Sequence, residues 1–160
     1  DMKIFEIWTR KILPHLHSVS LEGTVGESFL HPEIDFIISE VIKSGTQPCI
    51  VTNGTIFKEK TMTDILRAGG RIVVSLDGIT GKTYNKIRMG SDFKEVWVNL
   101  LKLNSIKGER GGQLFINTVC QKDNWFEMEE LIERCLLLDI DREKSILFFV
   151  KWNRSGNINW

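Results

Sequence analysis

Two hydrophobic periods alternate along this chain, and the alternation limits the folds it can adopt. Short runs rich in Val, Ile and Phe are bounded by Gly, Pro or polar residues, which is typical of β-strands. Between them, apolar residues recur at intervals of three and four, which is typical of amphipathic helices. The predicted strands are residues 17–23, 48–54, 71–78, 113–121 and 145–152, and the predicted helices are residues 2–13, 33–45, 58–70, 92–108 and 124–139.

The order of these elements predicts an α/β fold. Strands separated by single helices run parallel and are joined by right-handed crossovers. Five such strands form either a doubly wound sheet or part of a (β/α) barrel. No linker or internal repeat divides the 160 residues, so we expect a single domain over residues 1–160.

The apolar spacing also predicts which side chains face the core. In the second helix, Phe36, Ile37 and Val41 are expected on the buried face. Trp97 and Trp125 are interpreted as packing residues, and Gly45 and Gly69 stand where helix C-caps belong.

Charge and composition argue against two classes of partner. Lys and Arg together number 21, as do Asp and Glu, so the formal net charge is zero. A neutral chain has no long-range field to attract nucleic acid or an anionic membrane, so neither partner is expected. No run approaches the ~18 apolar residues that a membrane span needs. The chain begins at Asp1 rather than Met, so we expect a fragment of a longer protein.

The three cysteines, Cys49, Cys120 and Cys135, are scattered and form no C-x-x-C pair. Such spacing contains no metal-cluster motif, and buried free thiols are the expected state. An odd, scattered set suits a reducing compartment, so a cytoplasmic location is expected. His15 and His17 share a face of an extended segment, but no third metal ligand lies near them in sequence, and no metal site is predicted.

Polar groups collect at the predicted carboxyl ends of the strands, which is where parallel α/β folds bind ligands. The first strand ends in GTVGES, the second in TNG and the third in SLDG. Asn and Gly are also common in turns, and Ser75 and Asp77 also fit as caps, so each motif by itself has a structural interpretation. Glu27 is the residue that a turn does not require.

The combination of motifs resembles the radical S-adenosylmethionine (SAM) superfamily. The sequence has G-x-x-G-E-x-x-L-H-P-E-I, then T-N-G, then V-S-L-D-G, then Y-x-x-I-R-x-G-x-x-F-x-x-V-x-x-N-L, between about Pro14 and Gly156. The likeness is greatest to members with SPASM-type C-terminal extensions, many of which modify peptides or proteins. It implies a partial (β/α)6 TIM-like barrel, of which this chain supplies the parallel five-stranded part.

The resemblance also implies a role for particular residues. The motif that holds the methionyl amine of SAM falls on Gly26 and Glu27, where Ser28 replaces the usual Pro. Positions that bind ribose or carboxylate fall on Ser75, Asp77 and Arg88. Asn117, a polar residue in an apolar strand, is expected to line the lumen near the adenosine or to form a buried hydrogen bond.

The implied function is that of part of a radical SAM enzyme. In that family a [4Fe-4S] cluster reduces SAM and releases a 5′-deoxyadenosyl radical, which abstracts hydrogen from the substrate. The cluster-binding C-x-x-x-C-x-x-C is absent from this sequence, so its ligands are expected in the full-length parent and the chain alone is expected to be inactive. A peptide or protein substrate is expected for the parent.

Two alternatives stay open from the sequence. One is a degenerate, non-catalytic domain that binds SAM or a protein partner. The other is an unrelated α/β module that binds a nucleotide at the same strand ends.

Overall fold

A computed structural model of the chain describes residues 2–22, 26–108, 112–138 and 146–150. The strands are β1 (Ser18–Leu21), β2 (Gln47–Thr52), β3 (Arg71–Ser75), β4 (Gln113–Cys120) and β5 (Ile146–Val150). The helices are α1 (Met2–Lys11), α2 (Ile34–Lys43), α3 (Glu59–Arg67), α4 (Gly81–Ile87), α5 (Phe93–Gly108) and α6 (Met128–Leu137). Three short 3-10 helices lie at Leu13–His15, Ser28–Leu30 and Trp125–Glu127.

All strand pairs are parallel, and the sheet order is β1-β2-β3-β4-β5. The predicted α/β class and parallel sheet are therefore confirmed. Consecutive strands are neighbours, so every loop that leaves a strand toward a helix emerges at the same edge of the sheet. We call this edge, formed by the carboxyl ends of β1 to β4, the carboxyl edge.

The core lies between one face of the sheet and the helices. Side chains from β2, β3 and β4 meet side chains from α2, α3, α5 and α6 in one buried cluster. Its members include Ile50, Ile72, Leu114, Ile38, Met62, Ile65, Leu66, Val96, Leu100, Leu103, Leu131 and Cys135. As predicted, Gly45 and Gly69 have positive φ values of 80° and 73° just after α2 and α3.

Two packing predictions were wrong. In α2, Phe36 is 45% exposed, and Ile34 and Ile38 occupy the buried face together with Val41. Because α2 is apolar on several sides, its spacing left the face ambiguous, and Phe36 instead meets Phe5 of α1 at a ring distance of 6.5 Å. Trp125 is 55% exposed rather than packed in the core.

Helix α4 was not predicted. Its seven residues are too short for an apolar repeat, and it is positioned by its cap instead. The Thr80 hydroxyl accepts a hydrogen bond from the Thr83 backbone N–H at 3.3 Å, which starts the helix between β3 and α5. The connection after β3 therefore has two helices where one was expected.

Candidate functional site at the carboxyl edge

The Glu27 carboxylate joins the loop after β1 to the end of β2. One oxygen accepts hydrogen bonds from the Thr52 hydroxyl at 2.7 Å and the Phe29 backbone N–H at 3.1 Å. The other accepts one from the Asn53 backbone N–H at 2.6 Å. A carboxylate has about four acceptor sites, so three internal hydrogen bonds leave room for one further donor.

Gly26 lies beside this carboxylate with an exposed backbone. Its φ of 101° is in the region that L side chains rarely adopt, so the loop geometry favours glycine here. An added Cβ would meet no atom within 4 Å, so the space around Gly26 is open.

Asp77 anchors the end of β3 to two other elements. One carboxylate oxygen accepts the Val119 backbone N–H of β4 at 2.8 Å. The other pairs with Arg88, at 2.8 Å from Nε and 2.7 Å from the Nη2 nitrogen. Asp77 is 4% exposed, so its carboxylate is buried and committed to these partners.

Arg88 stands at the C-cap of α4 and is the partner of Asp77. The sequence analysis predicts that Asp77 and Arg88 bind the ribose or carboxylate of a ligand, but it does not predict that they pair with each other. Two of the five guanidinium N–H donors serve Asp77, and the others are available to a further acceptor.

Ser75 and Asn117 are direct neighbours in the register of β3 and β4. Neighbouring residues in parallel strands point to the same face, so the two side chains lie together near the carboxyl edge. The Asn117 side-chain oxygen is buried and accepts no hydrogen bond from the described part of the chain. Buried polar atoms are rarely left without a partner, so this oxygen marks a place for a donor.

Tyr84 connects the two halves of the edge. It is fully buried, its hydroxyl donates to the Asn53 carbonyl at 3.4 Å, and its ring lies 5.7 Å from that of Phe93. Burial raises the pKa of the Tyr84 hydroxyl, with the Asp77 and Glu27 carboxylates adding to the effect and Arg88 opposing it. Glu27, Asn53, Tyr84, Arg88 and Asp77 thus form one continuous polar region.

Sequence reasoning gave Tyr84 no role beyond its place in the Y-x-x-I-R motif, and it missed Glu127. The Glu127 carboxylate accepts the backbone N–H groups of Ile79 at 2.8 Å and Thr80 at 3.3 Å, and the hydroxyls of Thr80 and Thr83. It therefore fixes the start of α4 from 48 residues away in sequence. No local signal distinguishes Glu127 from the other acids of its segment, because its partners are brought to it by the fold.

A groove of about 740 Å³ lies elsewhere, between α2 and α3. Its charged lining is largely paired, as in Lys58 with Asp35 and Lys60 with Asp64, so it has no distinct ligand chemistry. Another groove, of about 510 Å³, borders Gly26 and Glu27 at the carboxyl edge.

Metal-binding chemistry finds no support in the part of the chain that the structure describes. No three His, Cys, Asp or Glu residues of that part lie close enough to hold a metal ion. The cysteines are free, and burial raises the pKa of Cys135 to about 11. No helix of the described residues is long and apolar enough to cross a membrane.

Comparison with known proteins identifies the family. A sequence model of the radical SAM superfamily matches residues 18–135, which is well over half of the chain. The chain belongs to the radical SAM superfamily. The resemblance seen in the sequence is confirmed at that level, and membership removes the unrelated nucleotide-binding module from the alternatives.

Individual relatives are distant. A tungsten-containing aldehyde ferredoxin oxidoreductase cofactor-modifying protein from Pyrococcus furiosus is 24% identical over 123 residues, which are 74% of this chain and 35% of that protein. This chain therefore spans about one third of the length of that curated protein.

Solved structures share the fold. Streptococcus suis SuiB bound to S-adenosylmethionine superposes with a TM-score of 0.68 at 22% identity, covering 94% of this chain and 35% of SuiB. SuiB bound to its precursor peptide SuiA gives 0.71 at 22% identity, covering 86% of this chain and 31% of SuiB. AdoMet-bound anSMEcpe gives 0.67 at 14% identity, covering 96% of this chain and 43% of that chain.

Proposed function

We propose that this chain is the SAM-binding part of a radical SAM enzyme whose full-length form modifies a peptide or protein. The observation that carries the proposal is the unpartnered Asn117 oxygen beside Ser75, at the carboxyl edge of a parallel sheet. Superfamily membership supports SAM as the ligand, and the peptide-bound SuiB structure supports the substrate class.

The residues at the edge fit the parts of SAM by their chemistry. The exposed Gly26 backbone and the remaining acceptor site of Glu27 suit an ammonium group. The spare N–H donors of Arg88 suit the carboxylate, while Asp77 holds the guanidinium in place. The Ser75 hydroxyl suits a ribose hydroxyl, and the Asn117 oxygen suits a donor on the adenosine.

SAM, when bound with a reduced [4Fe-4S] cluster, supplies a 5′-deoxyadenosyl radical for hydrogen abstraction. The residues described above bind and orient SAM. They do not provide a cysteine set for the cluster, and we place its ligands in the longer protein.

The longer protein also explains two unpaired surfaces. Strand β1 is the last strand on its side of the sheet formed by the described residues, and α1, which precedes it, exposes Ile4, Ile7 and Trp8 by 57%, 55% and 46%. A parallel strand ahead of α1 would pair with β1 and cover these side chains. Six strands would then form the partial (β/α)6 barrel, with a SPASM-type extension as a further proposed segment.

SAM affinity of the cluster-loaded whole protein tests the proposal. We expect Glu27→Ala and Asn117→Leu each to weaken binding at least about tenfold, since each removes a hydrogen bond to a charged or buried group. Gln113→Leu, four residues earlier on β4 and on the same face, is the matched control and should bind normally. Circular dichroism must show that each variant is folded.

Two results would contradict the proposal. Unchanged SAM affinity in both variants would remove these residues from the site. SAM binding without reductive cleavage in a protein that holds its cluster would favour the degenerate, non-catalytic alternative.

A further inference from the structure

The two faces of the sheet are covered differently. Ile50, Ile72 and Leu114 form one row across β2, β3 and β4, and each is at most 1% exposed beneath the helices. One residue earlier on each strand, the row contains Ser20, Cys49, Arg71 and Gln113. These side chains point to the opposite face, which we call the open face, and all four retain solvent exposure.

Arg71 is held on the open face by an aromatic ring. Its guanidinium carbon lies 5.9 Å from the centre of the Phe115 ring, two residues further along β4 than its register neighbour Gln113. A cation–π contact orients the guanidinium without using its N–H donors. Within the described residues, no carboxylate forms an ion pair with Arg71, whereas Arg88 and Arg134 are paired with Asp77 and Glu130.

Glu22 is an acid near this row, and its carboxylate already accepts a hydrogen bond. The Ser20 hydroxyl donates to the Glu22 carboxylate at 2.6 Å. Burial raises the pKa of the Cys49 thiol. The positive charge of Arg71 lowers this pKa and the negative charge of Glu22 raises it, so both charges act on the thiol. Arg71 is therefore an oriented cation that has no ion-pair partner among the described residues.

We propose that Arg71 binds a carboxylate of the substrate on the open face. The proposal rests on the proposed function, because it takes the open face to be the substrate side of a SAM-binding sheet. Arg is suited to this role because its planar fork donates two parallel hydrogen bonds to a carboxylate. The neutral surface between Arg71 and Ser75 is formed by Val51, Val73 and Phe115, which suits the aliphatic part of the same ligand.

The spacing between Arg71 and Ser75 on β3 indicates how long a ligand the site can hold. Arg71 and Ser75 are four residues apart, which is about 13 Å along a strand. An extended peptide covers that distance with about four residues. An acidic residue bound at Arg71 would therefore place a residue three or four positions away beside Ser75, so an acidic peptide is the substrate class that the geometry favours.

A titration of the 15N-labelled whole protein tests this proposal. The probes are acetyl-Gly-Glu-Gly-amide, its Gln counterpart and glutarate, and the signal is the Arg71 Nε–H, assigned by its loss in Arg71→Lys. We expect both carboxylate probes to shift that signal and the Gln peptide to need at least about tenfold higher concentration. Arg71→Gln should weaken binding of the Glu peptide by the same factor. Arg67→Gln, an exposed arginine on α3, is the matched control.

The outcomes separate the two proposals. Equal affinity for the Glu and Gln peptides, or equal losses in Arg71→Gln and Arg67→Gln, would overturn the Arg71 site even if SAM binding is intact. Failure of the whole protein to bind SAM would instead overturn the proposed function. Charge-dependent binding at Arg71 in the same protein would still support a carboxylate site there. Tighter binding of the peptide than of glutarate would assign the carboxylate to a peptide, and the reverse order to a small acid.

Discussion

Glu27 holds the loop after β1 against the end of β2 and has one acceptor site left for a ligand. The hydrogen bonds that it accepts from Thr52 and Asn53 explain why an acid follows Gly26 at this point of the chain. A substitution here would change both the loop geometry and the proposed ligand contact. For this reason the Asn117 variant, which removes an unpartnered atom, is the cleaner test of SAM binding.

Asp77 and Arg88 form a partly buried ion pair at the carboxyl edge. Pairing a buried carboxylate with a guanidinium avoids the cost of an isolated buried charge. The pair fixes Arg88 at the carboxyl edge and leaves part of its fork free. Asp77 is therefore a positioning residue in this proposal, and Arg88 is the one that contacts the ligand.

Glu127 gives a prediction for stability and its pH dependence. Burial opposes its ionisation, but hydrogen bonds from Thr80, Thr83 and Ile79 outweigh this and hold its pKa below the ordinary value of 4.5. A lowered folded-state pKa stabilises the fold above the unfolded pKa, and this stabilisation is lost as the pH falls through the folded value. We expect Glu127→Gln to reduce the free energy of unfolding by about 2 kcal/mol near neutral pH.

Urea unfolding at several pH values checks this prediction. The difference between the original protein and Glu127→Gln should shrink as the pH falls below ~4. Exposed Glu129, in the same segment, supplies the control Glu129→Gln, whose effect should stay within about 0.5 kcal/mol. A difference that is the same at every pH would contradict the role given to the ionised carboxylate.

Helix α4 depends on distant contacts more than on its own sequence. Its first turn is fixed by the Thr80 cap and the Glu127 carboxylate, and its body contributes Tyr84 and Arg88 to the carboxyl edge. A short helix without a strong apolar repeat is marginal in isolation. Here it is stable because the β4–α6 segment supplies its N-terminal partners.

Helix α1 gives a prediction about the longer protein that we propose. If a preceding strand covers its exposed apolar side chains, Ile7→Gln should destabilise the whole protein by about 1–3 kcal/mol, the cost of losing a buried aliphatic side chain. In the 160-residue chain, where Ile7 is exposed, the same change should cost less than about 0.5 kcal/mol. Arg10→Gln on the same helix is the control. Equally small effects of Ile7→Gln in both proteins would argue against the covering strand.

The molecule as a whole has one covered face and one open face of the sheet. Its stability comes from the covered face, where β2, β3 and β4 meet the helices, while the open face and the carboxyl edge carry the proposed binding sites. This division places ligand chemistry on a rigid support and keeps it out of the core.

A matched pair of valines tests that division. Val74 is 1% exposed on the covered face, and Val51 is partly exposed on the open face. We expect Val74→Ala to cost about 2–3 kcal/mol, because it leaves a cavity, and Val51→Ala to cost less than about 1 kcal/mol. Urea unfolding of the same protein gives both values. Equal costs would show that the open face is as well packed as the covered one.

Local patterns in the sequence were enough to predict the α/β class, the parallel strand order and the edge of the sheet on which polar groups gather. These features follow from the spacing of apolar residues along the chain and from the rule that the carboxyl ends of parallel strands lie at one edge of the sheet. Predicting them needs no knowledge of distant contacts. The sequence also marked Gly26, Glu27, Ser75, Asp77, Arg88 and Asn117, whose ligand roles remain predictions.

The pairing of those residues depends instead on the packing of the folded chain. Glu27 with Asn53, Asp77 with Arg88 and Glu127 with the start of α4 join residues 11 to 48 positions apart. Hydrogen bonds and ion pairs act over a few ångströms, so their partners are fixed by how the strands and helices pack. The same reason explains why α4, the exposed side of α2 and the absence of an ion pair at Arg71 among the described residues emerged only from the fold.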